Sequence, residues 1–267
     1  MTVCIQGNAM SRWMYLIGEE CLRIMNRISI IVPVYNEAQC IVNTFASVVK
    51  FVIKKPWYDF IFVDDGSTDE TRELLETQIK LFNNSQVSLI CYENHFGKGY
   101  AVKTGVLYAN GDYICFIDGD LAYSLDHLDL VVAKLAEFDI VIGCRNLTPE
   151  KNNGFSALRI LAGKIFNLIS RNILNLKFTD MQAGIKGFNN YAAKNLFKTQ
   201  IIPGFAFDVE LLYLAKKKGY TIGEIPVVVC KKHLYKKSKV KLLKHSIEMA
   251  FNLLQIKYND AVQKKYE

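Results

Sequence analysis

The stretch "FIDGDLAY", residues 116–123, closes an apolar run with two aspartates one residue apart, Asp118 and Asp120. On an extended chain alternate residues point to the same side, so both carboxylates can reach one ion. Ligation by carboxylate oxygens suits a hard divalent cation, Mg2+ or Mn2+, which keeps other positions for water and phosphate oxygens. The pair therefore predicts a metal-bound diphosphate. Three further acids, Glu37 in "VPVYNE" and Asp64 and Asp65 in "FIFVDD", also stand where apolar runs stop.

Those runs belong to the elements that must position the acids. Short β-branched and aromatic segments, "RISIIVPVY", "FIFVDD", "VSLICYEN", "YICFID" and "DIVIGC", alternate with helical patterns near 38–54, 68–82, 99–109 and 125–136. Continuous apolar strands separated by helix-length segments predict an α/β fold, a mostly parallel sheet with helices on both faces. Such open sheets bind ligands outside the carboxyl ends of their strands, where these acids lie. Ser67 and Glu70 have capping-box spacing, which assigns them to a helix start and leaves Asp64 and Asp65 without a structural task. Two later patterns are amphipathic: apolar residues at 158, 161, 162, 165, 169 and 173, and a second set at Leu243, Ile247, Ala250, Phe251, Leu254 and Tyr258. Both stripes read as faces turned to the core.

The 267 residues, 51% hydrophobic, suffice for a large core. Charge is unevenly distributed. Residues 1–230 hold 23 basic and 23 acidic side chains, while 231–267 hold 10 and 3, so the tail carries the whole net charge of +7. A basic segment so confined fits an anionic partner or a solvated helix face. The seven cysteines show no C-x-x-C spacing, and three lie in strand-like runs. That usage suits reduced thiols in a cytoplasmic chain rather than a disulfide framework or a zinc site. No window approaches the roughly 18 apolar residues of a spanning helix, and "WMYLIG" at 13–18 is too short for an anchor. The expected organisation is a loose extension over 1–27, a catalytic domain over 28–230 and a basic amphipathic segment over 231–267.

In order and spacing, "IIVPVYNE", "VDDGSTDET", "HFGKGYAVKTG", "FIDGDLAY", "GCRN", "DMQAGIKGF" and "AFDVELLYLA" resemble the family 2 glycosyltransferases, above all their polyprenol-phosphate branch, the dolichyl-phosphate glucose and mannose synthases. The resemblance spans roughly Ile28 to Lys244. It implies a GT-A fold, a nucleotide-sugar donor and a polyprenyl phosphate acceptor, with no nucleic acid partner. It places the nucleotide at Pro33, Tyr35, Glu37 and Asp65, with Asp64 beside them. Asp65 can accept from a base N–H, Glu37 from ribose hydroxyls, and Tyr35 offers a flat wall. Gly97 and Gly99 open a helix whose N–H groups could face the nucleotide, with Lys98 nearby.

The resemblance also assigns Arg145 and Arg159 to the acceptor phosphate, where a guanidinium offers a bidentate fork. Asp180 matches an acid near sugar and acceptor, and Lys239 of "KKSKV" a basic residue closing over the diphosphate. Asp120, Asp180 and Arg145 form the expected catalytic set. Asp208 and Glu210 are expected to be structural. Where mannose-type members carry a glutamine as third metal ligand this chain has Ala122, which favours UDP-glucose as donor over GDP-mannose. The usual membrane helices are missing, so attachment to an anionic membrane surface on its cytoplasmic side falls to 231–267. Two other readings stand beside this one: transfer to a hydroxyl of a surface glycan or other soluble acceptor, with Asp180 as base, and a receiver-like magnesium-binding signalling module.

Overall fold

The computed structural model describes residues 26–148, 157–230, 242–262 and 264–266. Its centre is a seven-stranded sheet in the order β3-β2-β1-β4-β6-β5-β7. The strands are β1 (Ile28–Val34), β2 (Tyr58–Asp65), β3 (Val87–Tyr92), β4 (Tyr113–Ile117), β5 (Ile140–Cys144), β6 (Ile185–Asn189) and β7 (Ile222–Pro226). All pairings are parallel except those of β6, which runs antiparallel to both β4 and β5. This reversal positions the site. The chain enters β6 at the edge where β4 and β5 end, so residues 180–184 join the acids already gathered there.

Alternation along the strands divides the interior into two cores. Ile30, Val32, Phe60 and Phe62 pack beneath α1 (Ala38–Lys54), α2 (Thr71–Phe82) and α4 (His127–Leu135). Ile31, Val63 and Phe116 face the other way, toward α3 (Lys98–Tyr108), α5 (Ala157–Leu174), α6 (Asn190–Thr199), α7 (Phe207–Lys217) and α8 (Leu242–Ala261). α1 buries Ile41, Phe45, Val48 and Val52, the spacing of one helical face. α3 lies close on β1 and β2, since a methyl group at Gly105 would stand 2.4 Å from Ile31 Cγ2.

The expected sheet, its five apolar strands and its helices on both faces are present. β6 and β7 were not legible as strands, because Lys186 and Gly187 interrupt the first and Glu224 the second. The C-terminal segment expected over 231–267 packs onto the catalytic domain through its described part. Leu253, Ile256 and Tyr266 are buried in the same core as β1 and β4, and Asp260 bonds Tyr213 and Lys217 of α7. Residues 1–25 and 231–241, and with them most of the expected extension and Lys239, lie outside the described residues.

The two amphipathic stripes are corrected in part. On α5 Ile173 packs against the core with Phe166 and Leu174, as expected, while Ile165 and Ile169 are exposed; on α8 Leu253 and Ile256 are buried, while Phe251, Leu254 and Tyr258 face outward. Periodicity finds a face but does not say which way it turns.

Candidate active site

The loop after β1 and the loop after β2 are tied together. Asn36 N donates to Ser67 Oγ at 2.9 Å, Glu37 N to Thr71 Oγ1 at 2.8 Å, and Thr68 N to Asn36 Oδ1 at 2.8 Å. Asp64 takes the Ser67 hydroxyl and, at 3.4 Å, its N–H. Burial raises the Asp64 pKa above the ordinary carboxylate value, against the lowering effect of those Ser67 bonds. The capping box is therefore not formed: α2 starts at Thr71, Glu70 makes no side-chain cap, and Asp69 instead accepts from Thr71 N and Ala38 N. Ser67 serves the β1 loop because Asp64 and Asn36 reach it first.

Asp65 organises the next loop. Its carboxylate accepts from Phe96 N, Gly97 N and the Tyr92 hydroxyl, each at 2.9 Å, and lies 2.8 Å from His95 Nδ1. Asp65, expected to accept from a base N–H, also anchors this loop, four donors surrounding its carboxylate. Two N–H groups at that helix start are already engaged: Gly97 N by Asp65, and Tyr100 N by the Gly97 and Pro203 carbonyls. Gly97 has φ +111°, and a methyl group there would stand 2.7 Å from Pro203 O, so glycine alone fits. The anchored loop sets His95 against Tyr35, ring centroids 3.8 Å apart and 19° from parallel. Tyr35 thus offers a flat wall, doubled by a histidine that the sequence reading passed over.

Asp118 and Asp120 sit on a turn rather than on an extended strand end. Leu121, at φ +51°, returns its N–H to Asp118 O at 2.9 Å. The chain turns because Gly119 lies against Pro33 O, where a methyl group would stand at 2.6 Å, and its carbonyl accepts from Thr44 Oγ1 at 3.0 Å. Asp120 Oδ1 accepts from Ala122 N at 3.0 Å. Asp118 lies across Gly184, where a methyl group would meet its Oδ2 at 1.8 Å. Its Oδ1 pairs with Lys98 Nζ at 2.6 Å.

Lys98 is therefore at the site, bonded to one of the acids expected to bind metal. Burial opposes its charge, but Asp118 and Asp208 outweigh that and hold its pKa above the ordinary lysine value. Below it lies Lys186, fully buried, donating to Asp208 Oδ1 at 2.7 Å and Ala183 O at 2.9 Å. Burial still lowers the Lys186 pKa despite Asp208. Both ammonium groups stand within 6 Å of the Phe116 ring centre, Lys98 at 5.9 Å and Lys186 at 5.5 Å. Lys186 was missed by the sequence reading, although a lone charge between two glycines in an apolar run signals a buried, paired group. Asp208 and Glu210 are structural as expected, Glu210 accepting from Ile201 N, Ile202 N and the Tyr266 hydroxyl.

Across the edge, β5 is followed directly by Arg145, which forms a fork on Asp180. Nε–Oδ2 and Nη2–Oδ1 are both 2.7 Å, and Arg145 N adds a third bond to Oδ2 at 2.9 Å. Asp180 is 2% exposed. Burial pushes its pKa up, yet the arginine's bonds and charge hold it below the ordinary carboxylate value. Asp180 expected as a base is thus a poor one. The other terminal nitrogen of Arg145 lies outside the fork, on a side chain 29% exposed. Arg159 falls within α5, but its side chain lies outside the described residues.

Two hard-oxygen carboxylates on one turn fit a shared metal site. Among the described residues no group of three or more His, Cys, Asp or Glu is placed to hold a metal unaided. A divalent ion at Asp118 and Asp120 would draw its remaining ligands from nucleotide phosphates and water.

A parallel sheet interrupted by one reversed strand, with acids and an aromatic wall at its carboxyl edge, defines a nucleotide-sugar transferase fold of GT-A type. Residues 29–197 match the family model for glycosyl transferase family 2, and the chain belongs to that family. A dolichyl-phosphate beta-glucosyltransferase of Dictyostelium discoideum is 30% identical over 244 residues, 86% of this chain and 74% of that protein. The dolichyl-phosphate beta-glucosyltransferase of Saccharomyces cerevisiae is 29% identical over 250 residues, again 86% and 74%. Among solved structures, glucosyl-3-phosphoglycerate synthase from Mycobacterium tuberculosis bound to UDP superposes with a TM-score of 0.66 at 18% identity, covering 96% of this chain and 86% of that one. Mannosyl-3-phosphoglycerate synthase from Rubrobacter xylanophilus gives 0.64 at 16%, covering 93% and 78%. At such identities these two structures speak for the fold alone. The mycobacterial enzyme has been crystallised with Mn2+ and UDP.

Proposed function

We propose that this protein transfers glucose, with inversion, from UDP-glucose to dolichyl phosphate or a related polyprenyl phosphate, using Mg2+ or Mn2+ at Asp118 and Asp120. The observation that carries this reading is the Arg145–Asp180 fork. The carboxylate placed to act as a base is committed to an arginine, which suits an acceptor that arrives as an anion. A phosphate monoester is ionised near neutral pH, its second pKa being about 6, and needs orientation rather than deprotonation. The relatives that act on dolichyl phosphate supply the acceptor, and their glucosyl transfer supplies the sugar.

In this mechanism the Tyr35–His95 wall flanks the nucleotide, with Pro33, Glu37 and the Asp64–Ser67 turn around it. Asp118 and Asp120 would hold the ion. That ion, when bound, neutralises the charge on the departing diphosphate, an effect worth several kcal/mol. Lys98 stands ready to meet the phosphates once Asp118 engages elsewhere. Arg145, fixed in orientation by Asp180, presents its outer nitrogen to the acceptor phosphate, with Arg159 on α5 and Lys239 as further cations. A polyprenyl acceptor resides in a bilayer, and no helix among the described residues is long and apolar enough to cross one. We place the protein peripherally on the cytoplasmic side, drawn there by the basic residues of 231–267, each worth about 1 kcal/mol near anionic lipid.

The test is transfer from UDP-glucose and GDP-mannose to a polyprenyl phosphate, with Mn2+, Mg2+ or chelator. A glucosylated lipid formed from UDP-glucose only in the presence of metal is expected, with measurable activity left in Asp180→Asn. Transfer to a hydroxyl acceptor alone, abolished by Asp180→Asn, would overturn the reading.

A further inference from the structure

α5 and α8 pack against each other and press Phe166, Leu174, Leu253 and Ile256 into one core on the same side of the sheet. Their opposite faces consequently look outward together. On α5 this outer face carries Ile165, Leu168 and Ile169, with Leu168 57% exposed. On α8 and just past its end it carries Phe251, Leu254, Tyr258 and Val262, all more than half exposed, with Phe251 at 68%. These positions follow helical spacing, i to i+3 and i+7, so they form continuous rows rather than scattered side chains. Two adjacent apolar rows on a protein surface mark a contact site.

We propose that this two-helix face is a bilayer-seating surface, which enters the acyl boundary of an anionic membrane beside the acceptor site. The occupant follows from three observations, the last of which rests on the lipid acceptor proposed above. First, α8 continues directly from 231–241, where six lysines stand, and is followed by exposed Lys264 and Lys265. Cations flanking an apolar helical face suit a surface of acidic headgroups over hydrocarbon better than the face of a second protein. Second, the residues are aliphatic and aromatic, and Tyr258 adds a hydroxyl suited to the headgroup boundary. Third, an acceptor whose prenyl chain lies in hydrocarbon has to be met at a bilayer, and an exposed apolar two-helix face is the kind of surface that enters one.

The full chain should sediment with phosphatidylcholine–phosphatidylserine vesicles and much less with phosphatidylcholine alone. The variant Leu168→Ser/Phe251→Ser/Leu254→Ser changes only exposed side chains. It should bind the mixed vesicles at least about tenfold less well at equal salt, while UDP affinity and turnover of a water-soluble short prenyl phosphate stay at wild-type values. As a second reading, Leu254→Trp should shift its emission to the blue on vesicle addition and be quenched by brominated phosphatidylcholine. Wild-type vesicle binding by the triple variant, or a Leu254→Trp emission untouched by brominated lipid, overturns the proposal. So does a wild-type dimer in vesicle-free buffer that the triple variant dissolves, because the face then belongs to a second copy. If the protein seats on vesicles as expected but moves no sugar to any prenyl phosphate, the transferase reading fails and the surface stands.

Discussion

Along the carboxyl edge, the loops after β1, β2 and β3 are tied to one another by the contacts of Asn36, Ser67, Thr71 and Asp65. The elements after β5 and before β6 meet instead in one ionic fork, and α5 beyond them turns an apolar row outward. The half we assign to the donor is a frame of neutral and charge-assisted bonds formed without a nucleotide. The half we assign to the acceptor combines one fixed cation with exposed apolar side chains. A nucleotide sugar comes from water and can be met by a preformed pocket, whereas a prenyl phosphate must be met where its chain resides.

The largest effect should come from breaking the donor half at its metal turn. Asp118→Ala and Asp120→Ala should each lower kcat/KM by about a thousandfold, the several kcal/mol that a Lewis acid supplies. Circular dichroism should show the fold retained, and wild-type turnover in either variant would dismantle the division between the two halves. Next in size, Arg145→Ala leaves Asp180 buried without its partner, which should cost about 3–5 kcal/mol in urea unfolding. Asp180→Asn, which removes the buried charge instead, should cost clearly less.

A subtler disturbance joins the two halves. Gly184→Ala places a methyl group where Asp118 Oδ2 now lies. The carboxylate must swing aside, so the Mn2+ concentration for half-maximal rate should rise about tenfold, or about 1.4 kcal/mol, with UDP-glucose KM changing less. Equal metal dependence in the variant would show that Asp118 does not hold the ion from its present position.

The smallest effect is one of pH. Asp180 has a folded pKa below its unfolded value of about 3.9, so its stabilisation is complete above that value and is lost as pH falls through the folded pKa. Asp64 has a raised folded pKa, so its contribution is complete below the unfolded value and is lost as pH rises through the folded one. Urea midpoints from pH 7 toward pH 3, measured for Asp180→Asn and Asp64→Asn, should therefore diverge from the wild type in opposite directions. Parallel curves would remove the electrostatic contrast between the halves.

Much of this was legible in the chain because the signals are local. The apolar runs of β1, β2, β4 and β5 and the acids closing the first three are contiguous in sequence, and so are the face of α1 and the order of the seven motifs. What escaped depends on contacts between distant residues. That Asp65 would meet the 95–97 loop, that Ser67 would turn from Glu70 toward Asn36, and that Lys186 would lie under Asp208 are consequences of which strands become neighbours. The strand reversal at β6 belongs to the same class, since a lysine and a glycine hide its apolar pattern. The outward turn of the α5 and α8 rows escaped for a different reason: amphipathic spacing is identical whether the apolar side meets a core or a solvent of another kind.

The fork between Arg145 and Asp180 has a kinetic corollary. With that carboxylate held by its arginine and an acceptor oxygen that brings its own negative charge, no hydrogen is in flight while the glycosidic bond changes hands. Sugar transfer measured in heavy water should then run at the rate seen in ordinary water.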